Sequence, residues 1–181
     1  VTTDPSNTVD GQVWFNSTDN ALKGFYDNPG SWATGGTLNS ARGNVASVGT
    51  QTAGLIAGGQ PPTAQTITES YNGTNWTEVN DLNLGRQNFA GAGTQTAGVV
   101  FGGQSPPAVG GPPNSNANQT ETWNGTNWTE VNDLNTGRRN IAGDGIQTSA
   151  QGSGGYQDSG GPPTSEFFVL TETWNGYNWT E

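Results

Sequence analysis

Along most of the chain, short apolar stretches alternate with Gly, Asn and Thr, and no segment is both long and Gly-poor enough to carry a helical period. The pattern predicts short strands separated by tight turns. In the unit that shows this best, a first strand is expected through Asn88, Phe89, Ala90 and Gly91. A second follows over Ala97-Gly98-Val99-Val100-Phe101, ended by Gly102-Gly103. The third is Thr120-Glu121-Thr122-Trp123, and the fourth is Trp128-Thr129-Glu130-Val131. Asn72-Gly73 and Asn124-Gly125 open the links between third and fourth strands, where Asn-Gly supplies the positive φ angles of a tight hairpin.

The strands repeat as a group. YNGTNWTEVNDLN at 71–83 returns as WNGTNWTEVNDLN at 123–135 and as WNGYNWTE at 174–181. Around these phrases, SARGNVASVGTQTAGLIAGG (40–59), LGRQNFAGAGTQTAGVVFGG (84–103) and TGRRNIAGDGIQTSAQGSGG (136–155) also correspond. Trp32, Trp76, Trp128 and Trp179 recur at spacings of 44, 52 and 51 residues, and a period of this size marks a repeat architecture. The expected organisation is an N-terminal hairpin or partial repeat at 1–37 and three repeats at 38–81, 82–133 and 134–181. Within the first part, Gln12 to Ala33 reads as strands three and four of a split repeat, with Tyr26 and Trp32 echoing the later aromatic pairs. The last phrase breaks off at Glu181, so the chain is expected to continue into further repeats or to associate with other copies.

The change in period comes from one place. From the Gly-Gly pair to the third strand's Glu there are 9 residues in the first unit (60–68), 17 in the second (104–120) and 16 in the third (156–171). Each of these loops carries prolines: Pro61 and Pro62, then Pro106, Pro107, Pro112 and Pro113, then Pro162 and Pro163. Variable loops on a fixed scaffold are where binding usually sits, which makes these prolines the candidate binding-loop residues.

Composition narrows the function classes. Hydrophobic residues make up only 29%, which alone would suggest disorder, but seven Trp, four Tyr and six Phe point instead to a thin-cored all-β protein. There is no Cys and no His, so thiol and imidazole catalysis and Cys- or His-ligated metals are excluded for this chain. A net charge of −10, with five basic residues against fifteen acidic ones, opposes nucleic-acid binding. No apolar run is long enough to span a membrane as a helix. No acid stands apart from the repeated ones, as a glycosidase pair would, and no Asp-x-Asn-x-Asp spacing supports calcium at Asp144 or Asp158. No cofactor or metal is expected.

The double glycines Gly58-Gly59, Gly102-Gly103 and Gly154-Gly155, the later Trp76, Trp128 and Trp179, and Arg42, Arg86 and Arg138 opening each unit resemble the kelch repeat. That resemblance implies four-stranded antiparallel blades of a β-propeller, here a partial one. The aromatic-to-Trp distance of five residues is shorter than the usual kelch spacing. The Asn/Thr-rich units also resemble repeats in virion proteins of tailed phages, particularly marine ones. Residues 4–32, with Gly11, Val13, Trp14, Asn16, Ser17 and Leu22, resemble the openings of phage tail-fibre and other virion structural proteins. What this implies is a non-enzymatic virion component that contacts other virion proteins, forms homo-oligomers and meets a host-surface glycan or protein. The alternatives are an extracellular carbohydrate-binding propeller or a kelch-type enzyme.

The repeated residues carry structural expectations. Each Arg is expected to pair with a repeated carboxylate, Glu69, Glu121 or Glu172, and to hold the repeats in register. Trp76, Trp128 and Trp179 are expected to be equivalent and mostly buried between repeats, as are Gly59, Gly103 and Gly155. Trp14 and Trp32 are better placed to touch a neighbouring protein. The Asn-x-Ser/Thr sites at Asn16, Asn72, Asn75, Asn118, Asn124, Asn127 and Asn178 read as turn chemistry rather than glycan acceptors.

Overall fold

The computed structural model describes residues 3–7, 11–25, 33–106, 116–158 and 165–181. The chain divides into two compact units, Val1–Thr34 and Gly35–Glu181. The described residues form strands and turns only, and no helix is long and apolar enough to cross a membrane.

The first unit holds one antiparallel hairpin, β1 (Val13–Asn16) and β2 (Ala21–Gly24), in the register Phe15↔Leu22. Asn16 shapes its turn by accepting the N–H groups of Thr18 and Asp19. Asp4 ties down the strands: it accepts from Trp14 Nε1 at 3.1 Å, from Asn16 Nδ2 at 2.7 Å and from Lys23 Nζ at 3.0 Å. Those three donors lower its pKa to about 2. The expected pairing of Tyr26 with Trp32 in a split repeat lies outside the described residues, and what is described there is a separate two-stranded hairpin.

The second unit contains three four-stranded antiparallel sheets, each with strands in sequence order. The first sheet is β3 (Ala46–Thr50), β4 (Ala53–Ala57), β5 (Thr68–Tyr71) and β6 (Trp76–Val79). The second is β7 (Ala90–Gly93), β8 (Gly98–Phe101), β9 (Thr120–Trp123) and β10 (Trp128–Val131). The third is β11 (Ala142–Ile146), β12 (Ser149–Ser153), β15 (Thr171–Trp174) and β16 (Trp179–Thr180). A small hairpin, β13 (Tyr156–Asp158) and β14 (Ser165–Phe167), sits in the loop between the third sheet's second and third strands.

Each third-to-fourth link is a four-residue turn, closed by the pairs Tyr71↔Trp76, Trp123↔Trp128 and Trp174↔Trp179. Only its Gly takes positive φ: 90° at Gly73, 91° at Gly125 and 89° at Gly176. The preceding Asn acts through its side chain instead, accepting from two main-chain N–H groups in each turn. The first strand also starts two residues later than the apolar pattern suggests. Asn44, Asn88 and Asn140 take positive φ and turn the chain just ahead of it, leaving Phe89 in a packing role before the strand begins.

Two apolar clusters lie where the sheets face one another. Ala46, Leu55 and Ala57 pack with Leu82, Phe89, Val100, Trp123 and Trp128 between the first and second sheets. Ala90, Ala92, Val99 and Phe101 pack with Leu134, Ile141, Ala150, Trp174 and Trp179 between the second and third. The core is thus two thin seams, which is how a chain this poor in aliphatic residues buries an interior.

Candidate functional site

The same polar set recurs in each of the three repeats. Arg42 pairs with Glu69, Arg86 with Glu121 at 2.6 Å and Arg138 with Glu172, all with side chains at most 1% exposed. The carboxylates are saturated by further donors. Asn39, Asn83 and Asn135 each give a main-chain and a side-chain N–H to one oxygen, at 2.7–2.8 Å. Burial pushes the Glu69 carboxyl up, yet Arg42 and the two Asn39 donors outweigh it and hold it below its usual value. Burial likewise lowers the Arg86 pKa, against the pull of Glu121.

The arginines also join neighbouring sheets. Arg86 places its guanidinium in the second sheet's repeat, while its main-chain oxygen accepts from Gly59 N of the first at 2.9 Å. Arg138 stands in the same relation to Gly103, at 2.8 Å. Gly59, Gly103 and Gly155 take φ of 101°, 103° and 109°, and the first two leave no room for a side chain.

The tryptophans cross the same seams. Trp128 Nε1 donates to Thr68 Oγ1 of the first sheet at 3.1 Å, and Trp179 Nε1 to Thr120 Oγ1 of the second at 2.9 Å. Both are buried, at 6% and 5% exposure. Trp76 departs from the expected equivalence. It stacks on Tyr71 with centroids 4.8 Å apart, but it is only half-buried and its Nε1 has no partner among the described residues.

Sequence reading missed a third device. Gln95 reaches from the second sheet into the first, donating to Gly54 O at 3.1 Å, Ser70 Oγ at 3.0 Å and Tyr71 O at 2.6 Å. Gln147 does the same from the third sheet, to Gly98 O at 3.2 Å and Trp123 O at 2.6 Å. The signal was present as Gln51-Thr52, Gln95-Thr96 and Gln147-Thr148, at one position in each repeat.

The loops that vary in length meet at one place among the described residues. Gln60, Pro62, Thr63, Ala64, Gln87, Ser105 and Pro106 line a cleft of about 130 Å³. Pro61 is exposed beside it. Gln87 donates to Gln104 Oε1 at 3.0 Å, while its own Oε1 is buried and has no donor. Pro107, Pro112, Pro113, Pro162 and Pro163 lie outside the described residues. Among the described residues, no cluster of three acidic side chains could hold a metal ion.

No family model matches the chain, and no curated protein matches it. Among solved structures, one of a protein called YjhT is similar, with a TM-score of 0.61 and 12% identity over 89% of this chain. The chain spans about half of that protein, 47% of its length. This likeness concerns the fold: an all-β architecture of several four-stranded antiparallel sheets.

Proposed function

We propose that the three sheets are blades of a kelch-like β-propeller, and that the protein is a non-enzymatic structural component of a tailed-phage virion. In this reading it is a tail-fibre, tail-adaptor or capsid-decoration subunit on the outside of the particle. It assembles with other virion proteins and with further copies of itself, contacts the host surface, and takes no cofactor. The observation that carries the reading is where the polar chemistry goes. The buried Arg–Glu pairs recur once in each repeat, with carboxylates saturated by framework donors, so this charged chemistry serves the scaffold. The loops vary instead, as the recognition surface of a display scaffold does. Mass spectrometry of purified particles tests this: peptides of the chain present in stoichiometric amount support it, and their absence from particles whose genome encodes the chain refutes it.

A second reading, a carbohydrate-binding propeller module, is favoured by the loop cleft, where the donor-less Gln87 Oε1 sits among proline faces and hydroxyls. A glycan array separates the two readings. Binding that is lost in Gln87→Leu supports the module, and a blank array removes it.

A further inference from the structure

The phrase that links third and fourth strands breaks at one residue. Asn-Gly-Thr-Asn-Trp-Thr-Glu stands at 72–78 and again at 124–130, but 175–181 reads Asn-Gly-Tyr-Asn-Trp-Thr-Glu. Tyr177 takes the place of Thr74 and Thr126 and is 72% exposed. Its N–H donates to Asn175 Oδ1 at 2.9 Å, just as those of Thr74 and Thr126 donate to Asn72 and Asn124 at 3.0 and 2.9 Å. The turn is thus built the same way with Thr, and its geometry does not require the aromatic ring.

Tyr177 borders a cleft of about 150 Å³, lined with it by Val131, Asn132, Trp174 and Gly176. Both walls belong to the seam between the second and third sheets. Val131 ends β10 and Asn132 follows it, while Trp174 ends β15 and leads into the turn. Two of the lining residues are fixed by the framework. Trp174 is buried, tilted against Trp179 at 5.4 Å, and donates from Nε1 to Gln147 O at 2.9 Å. Asn132 gives its Nδ2 across the seam, to Tyr177 O at 2.9 Å and to Asn178 Oδ1 at 2.7 Å. Its Oδ1 is left as an acceptor held in one direction, with no donor among the described residues. The matching amide of the first seam, Asn80, makes only the bond to Asn127 Oδ1, at 2.7 Å.

We propose that this cleft binds one ring of a neutral sugar, which lays its C–H face on Tyr177 and donates a hydroxyl to Asn132 Oδ1. A sugar ring is an apolar face edged by hydroxyl donors, and the cleft offers the complement: an exposed aromatic ring beside a fixed acceptor. The Tyr177 hydroxyl, without a partner among the described residues, adds a group that both donates and accepts. No charged side chain lines the cleft and the chain carries a net charge of −10, so an anionic sugar finds no counter-charge and is repelled. An apolar peptide is the poorer occupant, because Asn132, Asn175 and Asn178 are exposed around the cleft and present amides to it. The inference rests on the carbohydrate-binding reading but not on the loop cleft. The turn between third and fourth strands leaves each sheet at the opposite edge from the proline loop between second and third strands, so Tyr177 and Gln87 can be tested separately.

The test titrates the full chain, observed by its amide NMR signals, with methyl glucoside, methyl galactoside, methyl mannoside and N-acetylglucosamine, and with glucuronate as the anionic counterpart. At least one neutral sugar should shift the Asn132 side-chain amide and the Gly176 N–H with a Kd of about 1 mM, as one ring in an open cleft gives, and glucuronate should bind at least about tenfold more weakly. Tyr177→Thr restores the phrase of the other two repeats, so the turn keeps its bonds while the affinity drops at least about tenfold. Thr126→Tyr should add a second site at the first seam, read as new shifts at the Asn80 amide and Gly125. Unchanged affinity in Tyr177→Thr, no second site in Thr126→Tyr, equal binding of glucuronate, or shifts that spare Asn132 and Gly176 would each overturn the proposal. Binding lost in Gln87→Leu but kept in Tyr177→Thr would overturn this site and leave the carbohydrate reading standing. No binding of any sugar, in solution or on the glycan array, would overturn both.

Discussion

Replacing Trp128 by Ala removes a side chain that is 6% exposed, tilted against Trp123 at 5.2 Å and bonded through Nε1 to Thr68 on the neighbouring sheet. Truncating a large aromatic in a packed core costs about 3–5 kcal/mol. The lost hydrogen bond contributes about 0.5–1.5 kcal/mol of that cost. Trp128→Ala should therefore destabilise by about 4 kcal/mol, read from urea unfolding followed by circular dichroism. Trp128→Phe, which keeps most of the ring and loses the N–H, should cost about half as much. Trp179→Ala should match Trp128→Ala, because its burial and its bond to Thr120 are the same in kind. Trp76→Ala, half-buried and with no acceptor among the described residues, should cost about 1–2 kcal/mol in dilute solution. A loss below about 1 kcal/mol at Trp128, or equal losses at Trp76 and Trp128 in dilute solution, would refute the seam as described.

Glu121→Ala leaves the Arg86 guanidinium buried without its counter-charge and should cost about 3–5 kcal/mol by the same unfolding assay. Gly103→Ala puts a Cβ 2.6 Å from that of Phe89 at a φ of 103°, so it should cost more than about 2 kcal/mol, the positive φ alone accounting for about half. The Glu69 carboxyl is held below its usual pKa, so its stabilising contribution is full above the ordinary carboxylate value and is lost as pH falls through the folded-state value. Urea midpoints should accordingly drop on acidification from neutral pH, and Glu69→Gln should flatten that dependence. In the N-terminal hairpin, the Asp4 carboxylate should titrate by NMR at about 2, and a value in the ordinary range would mean that its contacts with Trp14, Asn16 and Lys23 do not form in solution.

The third and fourth strands of the second repeat were legible in the sequence residue for residue, because Thr, Trp and Val, all strand formers, flank an Asn-Gly turn on both sides. The first strand was legible only in part, because an Asn at positive φ carries no apolar signature and makes Phe89 look like strand. The Arg–Glu pairing could be reasoned from repetition alone, since charges recurring at matched positions in a thin core must meet. The Asn39, Asn83 and Asn135 donors, and the Gln95 and Gln147 cross-links, could not. Their roles depend on which acceptor each side chain reaches, in its own repeat for the Asn and across to the neighbouring sheet for the Gln, and a one-dimensional repeat does not record that. The β13–β14 hairpin went unread for a similar reason: Tyr156 and Phe167 meet only because the loop folds back, their rings 5.3 Å apart. The non-equivalence of Trp76 was invisible as well: its phrase matches that of Trp128 except for Tyr71 in place of Trp123, and a one-dimensional repeat does not record what its ring meets.

The most direct test of the functional claim is immunogold electron microscopy of purified particles, with antibody raised against the 60–67 loop of the first repeat. The account predicts gold at one fixed site on the particle exterior. Label confined to the lysate, with bare particles, would contradict it.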